Sequence, residues 1–399
     1  MKRWDVIIAG AGVGGAACAL ALAHAHDLRI LLVERHPGPG NLNRGESLLP
    51  PVTALLRKWG ALERCRNAGA REVGHMQFFH HRKGLLLDVP LCLPGMTDPY
   101  LVLPHPEIER VMVQAAAATG RVEIRYRTRV ARLLREDGRV SGAVLAHEHG
   151  PEAEEPAHLV IGADGAASAV RNGLQIALAR KPYNHALFIV DIDRPPNHPD
   201  VLRTELHPDG GILVVPGTGR LGLAALVRRE HEHRFRTGTV EAKFAHIEGR
   251  SPLLSGRRPS PVGVHLYKLW RGHASRYWAP GAALLGDAIH VINPVMAQGM
   301  TMAIEDGAAL ARHAGPLLAA RDGTAELDAA LACYERERRP FNAAVIRRSH
   351  WMSVAFSIGG PLGDRIHRGA FRMADSLIGR ALQKRIWSQF AASPEALYA

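Results

Sequence analysis

Cysteine is scarce in this chain of 399 residues: Cys18, Cys65, Cys92 and Cys333 are the four, and none belongs to a C-x-x-C pair. That spacing argues against a zinc site of the finger type and against a disulfide framework, and it fits a reducing, cytoplasmic setting. No metal site is expected. No run of residues has the length and apolarity of a membrane span. The first apolar strand begins at residue 4, so a signal peptide is not expected. Aromatic residues make up 6% of the chain, and there is no lysine-rich tract, zinc-finger pattern or RNA-binding signature. Nucleic acid is therefore not expected as a partner, despite a formal charge of +12. The arginines are spread along the chain and read as a solvated basic surface. Repeats and low-complexity segments are missing too. What remains, with 47% hydrophobic and 22% charged residues, is the composition of a globular protein long enough for two or three domains.

The most informative stretch is the first forty residues. Val6 to Ala9 is a short apolar run that reads as a buried parallel strand. Gly10, Gly12 and Gly15 follow in G-x-G-x-x-G spacing, with Val13 and Gly14 between them. The first glycine permits a tight turn, the second lets the backbone approach a pyrophosphate, and the third lets the next helix pack on the strand. That helix, about 14–26, would aim its unpaired N–H groups at the phosphates. A second strand, 28–33, ends at Glu34, whose carboxylate can accept from both hydroxyls of an adenosine ribose, with Arg35 beside it. The whole unit reads as a dinucleotide site.

Downstream, a loop rich in Pro, Gly and Asn leads to Arg44-Gly45-Glu46-Ser47-Leu48-Leu49-Pro50, and Leu55, Leu56, Trp59 and Leu62 give a helical spacing. Residues 72–93 turn strand-like, 104–119 helical, and 121–149 read as antiparallel strands with a turn at Glu136-Asp137-Gly138. Leu159 to Ile161 is a buried strand opening into Gly162-Ala163-Asp164-Gly165. Residues 183–270 again look like strands, with proline-rich connections at Pro195-Pro196 and Pro259 to Pro261. A second G-x-G-x-x-G, Gly217 to Gly222, is better read as a hairpin turn, because an apolar strand returns directly and no acid follows at the right distance. Ala282 to Leu285 is another short strand, followed by a long helix through Glu305, Asp306 and Leu310. Residues 325–399 read as helical with arginine-rich faces.

Three of these stretches together resemble the single-component (class A) flavin-dependent monooxygenases of the aromatic-hydroxylase family. The fingerprint with Glu34 resembles the family's FAD segment. Gly162-Ala163-Asp164-Gly165 with Ser168, Val170 and Arg171 resembles its Asp-Gly segment, and Gly286-Asp287-Ala288 to Gly299-Met300 resembles its Gly-Asp segment. The resemblance implies an α/β fold: a Rossmann-like FAD-binding domain of the glutathione-reductase type, a mostly antiparallel β substrate domain and C-terminal helices. The expected limits are 1–71, 101–180 and 271–330 for the FAD domain, 72–100 and 181–270 for the substrate domain, and 331–399 for the helical region. It implies FAD contacts from Gly10, Gly12, Val13, Gly14, Gly15, Glu34, Arg35, Arg44, His105, Val130, Asp164, Gly165, Gly286, Asp287, Pro294, Gln298, Gly299 and Met300. His105 stands where many relatives carry arginine, and Thr301 where many carry asparagine. Arg44 to Pro50 also resembles a segment of flavin-dependent halogenases, but their Trp-x-Trp-x-Ile-Pro signature is missing.

The resemblance further implies bound FAD, transient NADPH or NADH, dioxygen, and transfer of one oxygen from a C4a-hydroperoxyflavin to an electron-rich aromatic carbon. Pro294 would contribute through its backbone beside the flavin. Relatives acting on benzoates hold the carboxylate with an arginine on the strand matching Ile212 to Val215; that strand is apolar here, which points to an apolar or fused-ring aromatic small molecule. His75, His80 and His81 are candidate bases for a phenolic substrate, with strand parity placing His75 and His81 on one face. The basic C-terminal segment (Arg365, Arg368, Arg372, Arg380, Lys384 and Arg385, with Trp387 and Phe390) is read as a solvated outer face in preference to a membrane-binding one. Monomer and homodimer are both open. Alternative readings are a halogenase or prenyl reductase fed by a separate reductase, and a non-catalytic flavoprotein.

Overall fold

The computed structural model describes residues 3–40, 47–91, 97–321, 323–360, 363, 365–367 and 369. Its first layer is a sheet with the strand order Trp278–Ala279, Ala282–Leu284, Ala153–Gly162, Trp4–Ala9, Ile30–Val33, Val122–Arg125. From Ala282–Leu284 to Val122–Arg125 the strands run parallel. A hairpin, Thr128–Glu136 with Arg139–His147, pairs onto Ala153–Gly162. Parallel strands covered on both faces need continuous apolar sequence, and Val6, Ile7, Ile8, Ile30, Leu31 and Leu32 are all fully buried.

Helix Val13–Ala25 is buried almost all round, as its run of alanine and leucine requires. It sits against Gly299–Ala320 at glycine-sized distance: a Cβ on Gly307 would lie 2.9 Å from the backbone nitrogen of Cys18. The expected helix through Leu62 is two helices, Pro50–Lys58 and Leu62–Asn67. Gly60, at φ +67°, breaks the spiral between them.

The second layer is an eight-stranded sheet in the order His290–Val291, His265–Ala274, Leu178–Asp193, Arg220–Arg228, Ile212–Pro216, Leu202–Leu206, His75–His80, Gly84–Pro90. Its neighbours are antiparallel except Leu202–Leu206 with His75–His80, which run parallel. The glycines at 217–222 do form a hairpin turn: Ile212–Pro216 and Arg220–Arg228 pair antiparallel, and Gly219 has φ +71°. The expectation of strands across 183–270 needs correcting. Residues 229–254 form short helical segments, chiefly His233–Arg236 and Val240–Glu248. Phe235, Phe244, Ile247 and Leu254 from this region cover Phe188, Val190, Ile212, Val214, Leu223 and Val227 on one face of the sheet. That face could not stay exposed, and the Thr239 hydroxyl accepting from the Ala242 N–H marks the helix start.

The 34-residue helix Thr324–Ser357 ties the two layers together. It does so through a buried polar network. Arg338 donates from Nε to Asp306 Oδ1 at 2.9 Å and from Nη2 to Glu305 Oε2 at 2.9 Å, with all three side chains wholly buried. Asn342 Nδ2 donates to Asp306 Oδ1 at 3.0 Å and to the Tyr277 hydroxyl at 3.3 Å. Asp306 Oδ2 accepts from the Gly286 N–H at 3.3 Å and lies 2.7 Å from His290 Nε2. Burial would push the Asp306 carboxyl up, but His290 and Arg338 outweigh it and hold the group well below the ordinary carboxylate range.

Replacing Arg338 by Met leaves two buried carboxylates without their cation, a loss expected to cost about 3–5 kcal/mol. Denaturant unfolding of the apoprotein measures it. Acid acts on a neighbouring group first. Burial, with the His290 and Arg339 charges adding to it, pushes His273 from 6.5 down to about 4. Its neutral form is thus favoured in the fold. The unfolded chain binds the proton sooner, so this contribution is intact above about pH 6.5 and lost as pH falls towards 4. Melting temperature should fall across that window, and His273→Phe should flatten the fall.

Candidate active site

The fingerprint loop is shaped by contacts that leave one side open. Gly10 has φ +99°, and a Cβ there would lie 2.4 Å from the Ala163 carbonyl oxygen; one on Gly15 would lie 1.9 Å from the Gly10 oxygen. These two glycines are required by the fold itself. Gly14 is tight in another direction, against Leu285 and Ala303 at 3.0 and 3.2 Å. Gly12 differs: among the described residues the one atom within 4 Å of its Cβ position is Glu109 Oε1, at 3.6 Å. The helix starting at Val13 has no side-chain cap and no acid in its first turn. Open space before uncapped N–H groups is the cradle that a pyrophosphate needs.

Glu34 ends its strand with Oε2 accepting from the Ala11 N–H at 2.9 Å and Oε1 from the His36 N–H at 3.0 Å. Its remaining lone pairs are the ones available to a ribose. Arg35 is exposed and donates to His36 Nε2 at 3.1 Å. His105 opens helix His105–Ala117 and pairs with Glu109 Oε1 at 3.0 Å, while Glu109 Oε2 accepts from the Gly40 N–H at 3.3 Å. Burial, then the Glu34 and Glu109 carboxylates, push the Tyr126 phenol up. Val130 is buried, so its side chain serves the core. The register shifts at Ala131, one residue on, leaving an irregularity in the hairpin beside this end of the site. Arg44 lies outside the described residues.

Asp164 is spent on its own loop. It accepts from the Ser168 hydroxyl and from the N–H groups of Ala169 at 2.6 Å and Val170 at 3.2 Å. It therefore caps helix Ala169–Gly173, with Gly165 turning the chain at φ +78°. The residue that reaches out from this loop is Arg171, buried and donating to the Ala288 carbonyl at 2.9 Å and the Ala166 carbonyl at 3.0 Å. It joins the Asp-Gly loop to the Gly-Asp segment. In that segment Gly286 and Ala288 are buried and Asp287 is exposed between them. Pro294–Met296 then makes one tight turn, Ala297 adopts a left-handed φ of +52°, and Gln298, buried, leads into helix Gly299–Ala320. A non-glycine residue held left-handed before a helix start is local strain of the kind found at binding sites. The helix start at Gly299 and Met300 is also uncapped, and its N–H groups favour negative charge.

On the second sheet, the face opposite the covering helices carries His185, Leu187, Ile189, Leu213, Val215, Ala224 and Leu226, with His265 and Tyr267 from the neighbouring strand, Arg228 at one end and the Asp191–Arg220 ion pair at the other. Among these, Leu187, Ile189, Leu213, Val215, Ala224 and Leu226 are only half-buried. His185 lies 3.2 Å from Asn293 Nδ2, so this face is turned towards the Pro294 turn. The expected pairing of His75 with His81 on one face does not hold. His75 is exposed and bound to Asp88 at 2.7 Å, on the side away from Met76 and Phe78. The strand keeps unbroken register with Leu202–Leu206 as far as His80 and ends there, so simple alternation stops before His81. His81 stacks on His80, approaches His207, and has Nδ1 3.3 Å from the Leu206 carbonyl.

These features define a dinucleotide-binding α/β protein with an apolar sheet face beside its nucleotide layer. A family model described as FAD binding domain matches residues 3–349. The 6-methylpretetramide 4-monooxygenase of Streptomyces rimosus is 29% identical over 299 residues, covering 70% of this chain and 68% of the relative. The solved structure of P. aeruginosa PqsL with 2-aminobenzoylacetate superposes with a TM-score of 0.79 at 26% identity, covering 93% of this chain and all of that one (100%). The fold is also that of p-nitrophenol 4-monooxygenase PnpA from Pseudomonas putida DLL-E4, with a TM-score of 0.83 at 20% identity over 98% of each chain. The chain belongs to the FAD binding domain family, within the class A FAD-dependent aromatic monooxygenases.

Sequence reasoning placed Arg171 in a motif without a role, and it missed Arg338 and Asn342 as parts of the frame. The signal for the latter two was a buried-side spacing of Tyr334, Arg338, Asn342 and Val345 along one helix, with an arginine where an apolar residue is usual.

The two kinds of glycine separate binding from folding. Gly15→Ala should fail to yield stable protein. Gly12→Val should keep the apoprotein melting temperature within a few degrees and lose FAD affinity by about a hundredfold or more, since its branched side chain fills the phosphate cradle. Fluorescence titration with FAD reads the second effect.

Proposed function

We propose that this enzyme hydroxylates an apolar or fused-ring aromatic substrate, drawing two electrons from NAD(P)H and one oxygen atom from dioxygen, the other leaving as water. The observation that carries the substrate class is the half-buried face of Leu187, Ile189, Leu213, Val215, Ala224 and Leu226, turned towards the Pro294 turn. These six side chains offer an apolar ring a matching surface and offer a carboxylate no partner for its lost hydration. FAD, when bound, supplies the redox and oxygen-transfer chemistry.

The chain's own residues bind, orient and exclude water. The uncapped N–H groups at Gly12 to Gly14 would hold the pyrophosphate, Glu34 the ribose, and Asp287 a ribityl hydroxyl. The N–H groups of Gly299 and Met300 would face the negative charge of the reduced ring. The left-handed Ala297 sets the angle at which that helix start is presented. Arg171 and Asp306 fix the Gly286–Ala288 segment from two sides, through Ala288 O and Gly286 N, so ordering of this segment need not come at the expense of cofactor binding energy.

The test is NADPH and NADH oxidation by the FAD-loaded protein with a panel of apolar phenols, fused aromatics and simple benzoates. Stimulation confined to the apolar and fused-ring compounds, with hydroxylated product, is expected. Leu213→Arg should then raise KM for the stimulating compound about tenfold or more by placing an unpaired guanidinium on the apolar face. Preference for benzoates would overturn the substrate class. Bound flavin that neither nicotinamide reduces would overturn the single-component reaction and point to a partner reductase.

A further inference from the structure

Asn293, the residue before Pro294, is 3% exposed, with both side-chain polar atoms and its carbonyl committed. Its Oδ1 accepts from the Val295 N–H at 3.1 Å, which closes the turn from within. Its backbone carbonyl accepts from the Ser349 hydroxyl at 2.6 Å. Its Nδ2 donates to Ser353 Oγ at 2.8 Å and lies 3.2 Å from His185 Nε2. Ser353 Oγ is in turn 2.9 Å from His185 Nε2.

These bonds come from three separate parts of the fold. Ser349 and Ser353 are one helical turn apart on the long helix Thr324–Ser357 and are 0% and 1% exposed. His185, 8% exposed, stands on the strand Leu178–Asp193, on the same face as Leu187 and Ile189. Donor and acceptor roles are consistent around the ring. Asn293 Nδ2 donates to Ser353 Oγ, whose further bond to His185 Nε2 takes its direction from the imidazole tautomer. Burial favours the neutral imidazole. Buried hydroxyls in a helix that otherwise packs apolar or charged groups need a reason. Anchoring a turn of irregular backbone is one, because that backbone makes no ladder bonds of its own.

We propose that Ser349, Ser353 and His185 are positioning residues that fix the height and tilt of the Asn293–Ala297 turn against the flavin, and that His185 registers the turn to the substrate-facing sheet. This rests on the reading that Pro294 lies beside the flavin. The turn has a left-handed residue, Ala297, at its far end, so it would relax if its near end were released. The helix start at Gly299 would then shift with it, and water would gain access to the reduced cofactor. The long helix thus sets two segments around the cofactor, Gly286–Ala288 through Arg338 and Asp306, and Pro294–Met296 through the two serines.

The experiment uses the full chain loaded with FAD, as wild type and as Ser353→Ala, Ser349→Ala, His185→Phe and Ser353→Thr. Three quantities are read: the FAD dissociation constant, the visible circular dichroism of the bound flavin, and the rate at which dithionite-reduced flavin is reoxidised by dissolved oxygen. In the Ala and Phe variants the dissociation constant should stay within about threefold of wild type. Their reoxidation should quicken by about fivefold or more, with an altered dichroism spectrum. Ser353→Thr keeps the hydroxyl and should restore both. If one variant fails to fold, the remaining substitutions contact the same turn and carry the same expectation. Unchanged dichroism and reoxidation in variants that bind FAD would overturn the positioning role, as would loss of affinity and melting temperature alone. Failure of the wild-type chain to bind FAD would overturn the proposed function, and this inference with it.

Discussion

The buried contact of Arg338 with Glu305 and Asp306 is the constraint on which the rest of the architecture turns. One guanidinium from the long helix lies between two carboxylates of the helix Gly299–Ala320, all three shut off from bulk solvent. Removing charges from water is unfavourable, and such an arrangement persists only where further hydrogen bonds complete it. Here they come from Asn342, His290 and the backbone N–H of Gly286. The same carboxylate that neutralises the arginine therefore holds the segment carrying Asp287. Packing of the long helix and shape of the Gly286–Ala288 segment are one problem with one solution.

From that point the site is built in opposite directions. Towards the amino terminus, Arg171 links Ala288 to the loop that Asp164 caps, and Ala163 in that loop meets Gly10 at a distance only glycine allows. Fingerprint, Asp-Gly loop and Gly-Asp segment are thus in mutual contact through backbone, with side chains acting mainly as braces. Towards the carboxyl terminus, Asn293 and its serines connect the Pro294 turn to the long helix and to the second sheet. Leu187, Ile189, Leu213, Val215, Ala224 and Leu226 form the apolar middle of the second sheet's inward face.

Much of this was legible in the sequence, and for physical reasons. Glycine spacing reports backbone geometry directly, so Gly10 and Gly15 were readable from their spacing alone as turn and packing positions. The apolar strands of the parallel sheet and the hairpin at Gly217–Gly222 were readable because their patterns have few alternative uses. The helices within 229–254 were not, because their apolar residues are sparse and their role is fixed by a sheet face assembled from distant strands. His75 and His81 could not be assigned by alternation, since the strand ends at His80 and His81 stacks on it. The helical spacing of Tyr334, Arg338, Asn342 and Val345 marks Arg338 and Asn342 as facing inward, but their acidic partners are more than thirty residues away in the chain and no local pattern records those.

The protein's own buried network orders the cofactor frame before FAD arrives. Hydrogen exchange of the apoprotein, followed by mass spectrometry of peptides spanning 284–291 and 299–306, tests this most directly. Slow exchange in both peptides without FAD, with modest further slowing on its addition, is the predicted result. Fast exchange in the apoprotein that becomes slow only when FAD binds would contradict it, because the network would then be a consequence of the cofactor and not its support.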